Sequence, residues 1–203
     1  MVKRFTYAIE PGGPKRVVIE SQPMWQNCQI FFDGAVIGTI PGLDALMSGM
    51  NFTLPDDSVL RVIYTNKFLI SQFQVLRNGK PLPGSQSDPN ELLKTAVIVT
   101  YVVGAYDTLV GLLAGLVNIK LLLSMGVTMW TSLIGALLLL LAFLTSRKSL
   151  PASILAVALF LVDSLASVYI SKSLGFDFII RLMILVPMTL GVSALNELKK
   201  QQK

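Results

Sequence analysis

Three charged residues stand inside stretches otherwise suited to hydrocarbon: Asp107 in YVVGAYDTLVGLL, Asp163 in LFLVDSLASVYI and Arg181 in FIIRLMILV. Taking a carboxylate out of water costs several kcal/mol unless it is paired, protonated or facing a polar cavity, so an ionisable residue within a span marks a site. Counting ~1.5 Å per residue from one face of the membrane puts Asp107 at a depth of ~21 Å, Asp163 at ~18 Å and Arg181 at ~22 Å. A shared depth predicts that the planar guanidinium of Arg181 bridges both carboxylates, which its fork suits better than an ammonium would. One carboxylate is then left over, the arrangement a proton-coupled site would use. The competing arrangement has Arg181 snorkelling to the headgroups while each Asp sits in a polar pocket or stays protonated.

The elements that must position these residues follow from hydropathy. The chain is 53% hydrophobic and only 14% charged over 203 residues, too apolar for an ordinary soluble domain. The excess lies in the second half, in four runs at about 93–117, 121–145, 151–171 and 176–195, each near the ~20 residues that cross a ~30 Å core. Connections as short as Asn118–Lys120 and Ser146–Leu150 make consecutive helices antiparallel neighbours in a bundle. Lys94, Arg147, Lys148, Lys199, Lys200 and Lys203 fall on the side of the termini, against Lys120 and Lys172 on the other. Both termini are therefore expected in the cytoplasm, in a bacterial inner or equivalent membrane. MVKRFTYAIEPGGPKR has no apolar h-region, so the first span is expected to act as the signal. Gly104, Gly111, Gly115, Gly135 and Gly191 are positions where helix backbones can approach closely.

Residues 1–85 read as a soluble antiparallel β domain, a small sandwich or open barrel. RFTYAI, RVVIES, CQIFF, AVIGTI, MNFTL, SVLRVIYT and FLISQFQVL are short runs rich in Val, Ile, Phe, Tyr and Thr. Asp33-Gly34 and Asn78-Gly79 are tight-hairpin signals, and PDDS at 55–58 is a polar turn. LDALMSGM, 43–50, is either a helical turn or an irregular strand lead-in. PLPGSQSDPNE, 81–91, marks the boundary, with 86–92 as linker and 93–203 as the four-helix transmembrane bundle with a short basic tail. The single Cys28 fits a reducing compartment and reads as a small buried hydrophobe.

The sequence has no His, no Cys pair, no Gly-rich phosphate loop and no nucleophile elbow, so no catalytic residue, cofactor site or metal site is expected. A net charge of +5 carries no basic stripe with interleaved aromatics, and nucleic acid is excluded as a partner. A β-rich head ending in VLRNGKPLPGSQSDP, followed by a first span reading TAVIVTYVVGAYDTLVGLLAGL, resembles a widespread family of uncharacterised bacterial four-helix integral membrane proteins with a small N-terminal all-β cytoplasmic domain. The resemblance implies this fold and no particular activity.

YDTLVGLL at 106–113 and VDSLASVY at 162–169 share Asp, Thr or Ser, and Leu in register, and the same offset relates Gly135 to Gly191. Two helical hairpins related this way would be parallel repeats. Besides the lipid bilayer, the expected partner is a membrane protein or a second copy of the chain. The leading reading is a membrane-anchored interaction or assembly module whose β domain recruits a protein. The second is a small oligomeric channel or proton-coupled transporter built on Asp107, Asp163 and Arg181.

Overall fold

The computed structural model describes residues 2–67, 70–117, 127–171 and 176–201. It divides into two compact units, Met1–Glu91 and Leu92–Lys203. The first is a pair of four-stranded antiparallel meanders, ordered β1-β2-β3-β4 and β5-β6-β7-β8. The strands are β1 Lys3–Ala8, β2 Lys15–Ser21, β3 Cys28–Phe32, β4 Ala35–Ile40, β5 Met50–Thr53, β6 Val59–Lys67, β7 Ile70–Arg77 and β8 Lys80–Pro81. The seven runs of the sequence all form strands, and the two-residue β8 is added where Asn78-Gly79 turns the chain back on β7. The ambiguous 43–50 stretch resolves into both alternatives, a helix α1 Leu43–Ser48 followed by Met50 as the first residue of β5.

Turn chemistry explains the pairing. Asp33 and Gly34 lie at φ 49° and 83°, Asn78 and Gly79 at 48° and 79°, so both hairpins use the two positive-φ residues whose twist matches that of the flanking strands. In β4, Gly38 lies beneath the Phe52 ring, where a Cβ would stand 2.3 Å from a ring carbon, so a larger residue there would have to displace the ring. Apolar side chains of both sheets, with Leu46 of α1 and Leu82, share one core. At its edge Trp25 packs on Phe73 at 4.7 Å, Tyr64 at 5.5 Å and Phe5 at 5.7 Å between ring centroids.

The segment after β8 is more ordered than a Pro- and Ser-rich linker suggests. Leu82 is in the β core, the Phe73 N–H donates to Gln86 Oε1 at 2.9 Å, and Asp88 accepts from the Gly84 N–H at 2.8 Å and from the Asn90 N–H at 3.0 Å. Side-chain acceptors here satisfy backbone N–H groups that no further strand pairs with. Asp88 and Pro89 then supply the carboxylate and fixed φ that favour a helix start.

The second unit contains α2 Pro89–Val117, which begins within the first unit, and α3 Met129–Ser146, α4 Leu150–Ser171 and α5 Phe176–Gln201. All four are long and apolar enough to cross a membrane, which makes the chain an integral membrane protein. The expected start of the second span at 121 lies outside the described residues; α3 as described begins at Met129, where Thr128 and Thr131 form a reciprocal capping box. The far end of the fourth span differs from expectation. α5 continues past 195 through Asn196 and Glu197 to Lys199 and Lys200, good or tolerable helix formers with cations at the negative end of the dipole. It also carries Pro187 in its interior.

Candidate functional site

The bundle is closed by small residues. Gly104, Gly111 and Gly115 recur at seven- and four-residue spacing on α2, and a Cβ on each would meet α3: 2.9 Å from the Gly135 carbonyl, 2.3 Å from the Ser132 nitrogen and 3.3 Å from the Met129 Cβ. Gly135 returns the contact, its own Cβ position being 2.4 Å from the Thr108 nitrogen. The contacts at Gly104, Gly111 and Gly135 are with backbone atoms, which no rotamer change relieves; the one at Gly115 is a tight contact with a side chain. The α2–α3 seam therefore depends on missing side chains. Gly191 of α5 lies against Ala96 of α2, a Cβ there standing 2.3 Å from the Ala96 methyl. A hairpin repeat would instead set Gly191 against Ser164, the counterpart of Thr108, so this packing does not repeat between the two hairpins.

Polar groups on the inner faces are largely absorbed by the helices themselves. Thr100 Oγ1 donates to the Ala96 carbonyl at 2.8 Å, Thr108 Oγ1 to Gly104 at 2.6 Å and Ser164 Oγ to Phe160 at 2.7 Å, the usual way a hydroxyl is satisfied inside a span. Thr145 Oγ1 is the exception, buried with no partner among the described residues; sequence alone gave no sign of it.

Against this background the charges stand out. Asp163 and Arg181 meet across α4 and α5: Arg181 Nη1 donates to Asp163 Oδ2 at 2.6 Å, with side-chain exposures of 21% and 15%. Such a pair is charge-assisted and partly shielded from solvent. Asp107 is buried at 7% exposure, on an α2 stripe with Ala96, Thr100, Val103 and Ala114 at helical spacing, beside the glycine seam. It too is engaged, and Arg181 makes an interaction beyond the Asp163 bond. Sequence order and depth thus locate a real ion pair between the third and fourth spans, with the third predicted charge on an inward face.

The first unit holds its charges differently. Arg16 pairs with Asp33, Nε donating to Oδ1 at 2.8 Å, while its guanidinium lies 4.7 Å from the Phe32 ring centroid. Arg77 pairs with Asp56 and donates to Ser58 Oγ at 2.9 Å, and Ser58 donates to Asp56 at 2.5 Å. The Arg16 guanidinium holds Asp33 below the usual carboxylate range, and the Ser58 hydroxyl and N–H, with Arg77, do the same for Asp56. Both pairs are solvent-exposed and act as local clips. Cys28 is fully buried, near Ser21 Oγ at 3.2 Å, and burial pushes its thiol up, which makes it a core residue. Among the described residues no group of three His, Cys, Asp or Glu is placed to hold a metal.

No family model, curated protein or solved structure matches the chain.

Proposed function

We propose that the protein is a membrane-anchored interaction or assembly module: the four spans hold the β unit at the cytoplasmic surface, and that unit recruits a protein partner. The observation behind this reading is β1. It ends the order of the first sheet and, among the described residues, pairs only with β2, so a six-residue strand offers one side of its backbone for strand addition. The orientation is supported by the charges. Lys94, Arg147, Lys148, Lys199 and Lys200 gather at one end of the bundle, whereas exposed Trp130 and Tyr169 lie at the other, a positive-inside pattern with interfacial aromatics opposite.

Neighbouring residues of a strand point their N–H groups to opposite sides, so one of Lys3→Pro and Arg4→Pro removes a β1–β2 bond and the other blocks the outer edge. Capture from native membranes in mild detergent is expected to return a stoichiometric partner with the parent chain and to lose it in the edge-blocking variant while the fold persists. Capture unaffected by either variant overturns the reading.

The second reading, an oligomeric channel or proton-coupled transporter, is favoured by the Asp163–Arg181 pair and the buried Asp107 in one bundle. A homo-oligomer as the sole captured species supports it over recruitment.

A further inference from the structure

One end of the β unit carries large apolar side chains that its own core leaves out. Met24, in the short turn Pro23–Trp25, is 83% exposed, and Leu43 and Met47, one turn apart on α1, are 37% and 44% exposed. Their place follows from the second sheet. Tyr64 and Phe73 are cross-strand partners toward the Lys67–Ile70 end of β6 and β7, and the Trp25 ring packs on both. β5 runs away from that end, Met50 standing opposite Val62 and Thr53 opposite Val59, so α1, which precedes β5, lies at the same end and close to the Pro23–Trp25 turn. The 82–88 segment also runs toward it along β7, Leu82 bonding to Val75 and Gln86 to Phe73, and α2 begins there at Pro89.

Reach, backbone and charge together select what covers this end. The apolar run of the first span opens at Leu92, three residues after Pro89, which is about 4.5 Å of helix. Because 82–88 is bonded along β7, this end is tied to the bilayer by a short joint. Met24 and Trp25 both lie in the left-handed region, at φ 60° and 61°, an unfavourable setting for residues with a side chain. It turns Trp25 onto Phe5, Tyr64 and Phe73 and leaves Met24 outside, where an unbranched thioether suits the irregular boundary of headgroups and acyl chains. Lys3 is the register partner of Ser21, just before the turn. The Arg61 guanidinium lies over Gly49 at the end of α1, where a Cβ would stand 3.1 Å from Nε. Neither cation is in an ion pair among the described residues, whereas Arg4 pairs with Glu20. Against these two the face carries Asp44, so its balance is positive, which favours anionic headgroups.

We propose that this end of the β unit docks on an anionic lipid surface, Met24, Leu43 and Met47 entering the boundary between headgroups and acyl chains while Lys3 and Arg61 meet lipid phosphate. The inference is independent of the recruitment reading and requires only that the chain is in a membrane.

The test uses the full chain in nanodiscs of phosphatidylcholine with phosphatidylglycerol and follows oxidation of each methionine to its sulfoxide by chloramine-T, with free N-acetylmethionine as the reference. A methionine open to water oxidises at close to the reference rate; docking is expected to slow Met24 and Met47 by roughly fivefold or more. Val36 is 57% exposed at the opposite end of the first sheet, paired with Phe31 rather than near Cys28, and the methionine introduced by Val36→Met is expected to oxidise near the reference rate. Arg61→Glu is expected to speed oxidation of Met47 by roughly twofold or more. Met24→Asp is expected to do the same, so the proposal stays testable if either variant misfolds. Oxidation of Met24 as fast as that of the Val36→Met methionine would overturn the proposal. Equal protection in pure phosphatidylcholine would leave no part for charge and overturn it too, as would protection found only in native membrane vesicles, which would mean that a protein covers the face.

Discussion

The two units draw on different mixes of residue for their interiors, although the bundle too buries Leu138, Phe160, Met188 and Leu195. In the β unit the largest side chains are inside: Phe73, Ile19, Ile30, Leu54 and Leu60 are each no more than 2% exposed. In the bundle, Ala114, Ala142, Ala152, Ala156 and Ala194 are buried, while Leu109, Leu116, Leu133, Leu140, Leu155 and Leu165 point outward. The cause is the solvent. Water expels large apolar groups into a core, whereas lipid tails are as apolar as leucine and give a helix no reason to hide it. What holds spans together is close backbone approach and the few polar contacts lipid cannot supply. The same chain thus follows two packing rules on either side of Glu91, and a substitution should be judged by the rule of its own unit.

The largest expected effect tests that directly. Phe73→Ala should cost the β unit about 3–5 kcal/mol by cavity formation, with roughly 0.5–1.5 kcal/mol more from lost ring contacts with Phe5 and Trp25. Leu137→Ala, a comparable loss of carbon from an outward position of α3, should stay within about 0.5 kcal/mol. Chemical denaturation followed by near-ultraviolet circular dichroism for the first, and by detergent melts for the second, measures the contrast; equal losses would refute it.

Next comes the ion pair. Arg181→Leu alone strands Asp163 and should cost about 3–5 kcal/mol, and adding Asp163→Asn should recover most of it. Detergent melts of the single and double variants decide: a single variant as stable as the parent means the pair contributes nothing to the bundle.

The smallest effect belongs to the β core. Burial pushes the Tyr7 phenol from 10.0 up to about 12. A raised pKa means that the neutral form is favoured by folding, so its stabilisation is whole below pH 10 and is lost as pH rises through about 12. The difference is worth about 2–3 kcal/mol. Tyr7→Phe should remove this part of the alkaline loss, seen as a shallower fall in denaturation midpoint between pH 9 and 12 than the parent shows.

Much of this was legible in the residues. Period-two runs and the Asp-Gly and Asn-Gly turns suffice for β1 to β7, because a turn dipeptide and a strand pattern act over a few neighbours. Four apolar runs suffice for the spans, since length and hydropathy are local sums. The start of α3 at Met129 was less legible, since hydropathy does not register a capping box at Thr128. The order of the 82–88 segment was hidden for another reason, as Gln86 and Asp88 reach backbone groups whose proximity only the fold creates. At the candidate site, equal depth brought Asp163 and Arg181 to attention, but depth says nothing of the azimuth around each helix. That the two side chains meet is decided only once the azimuths are set.

Pro187 gives the fourth span a soft joint. With no N–H it cannot close the helical bond to the Met183 carbonyl, and its ring crowds that turn. The joint divides α5 into an upper segment carrying Arg181 and a lower one fixed by Gly191 against Ala96. Bending there would swing the upper segment as a lever while its base stays clamped, pulling on or relaxing the Arg181–Asp163 bond without disturbing the glycine-packed end of the bundle.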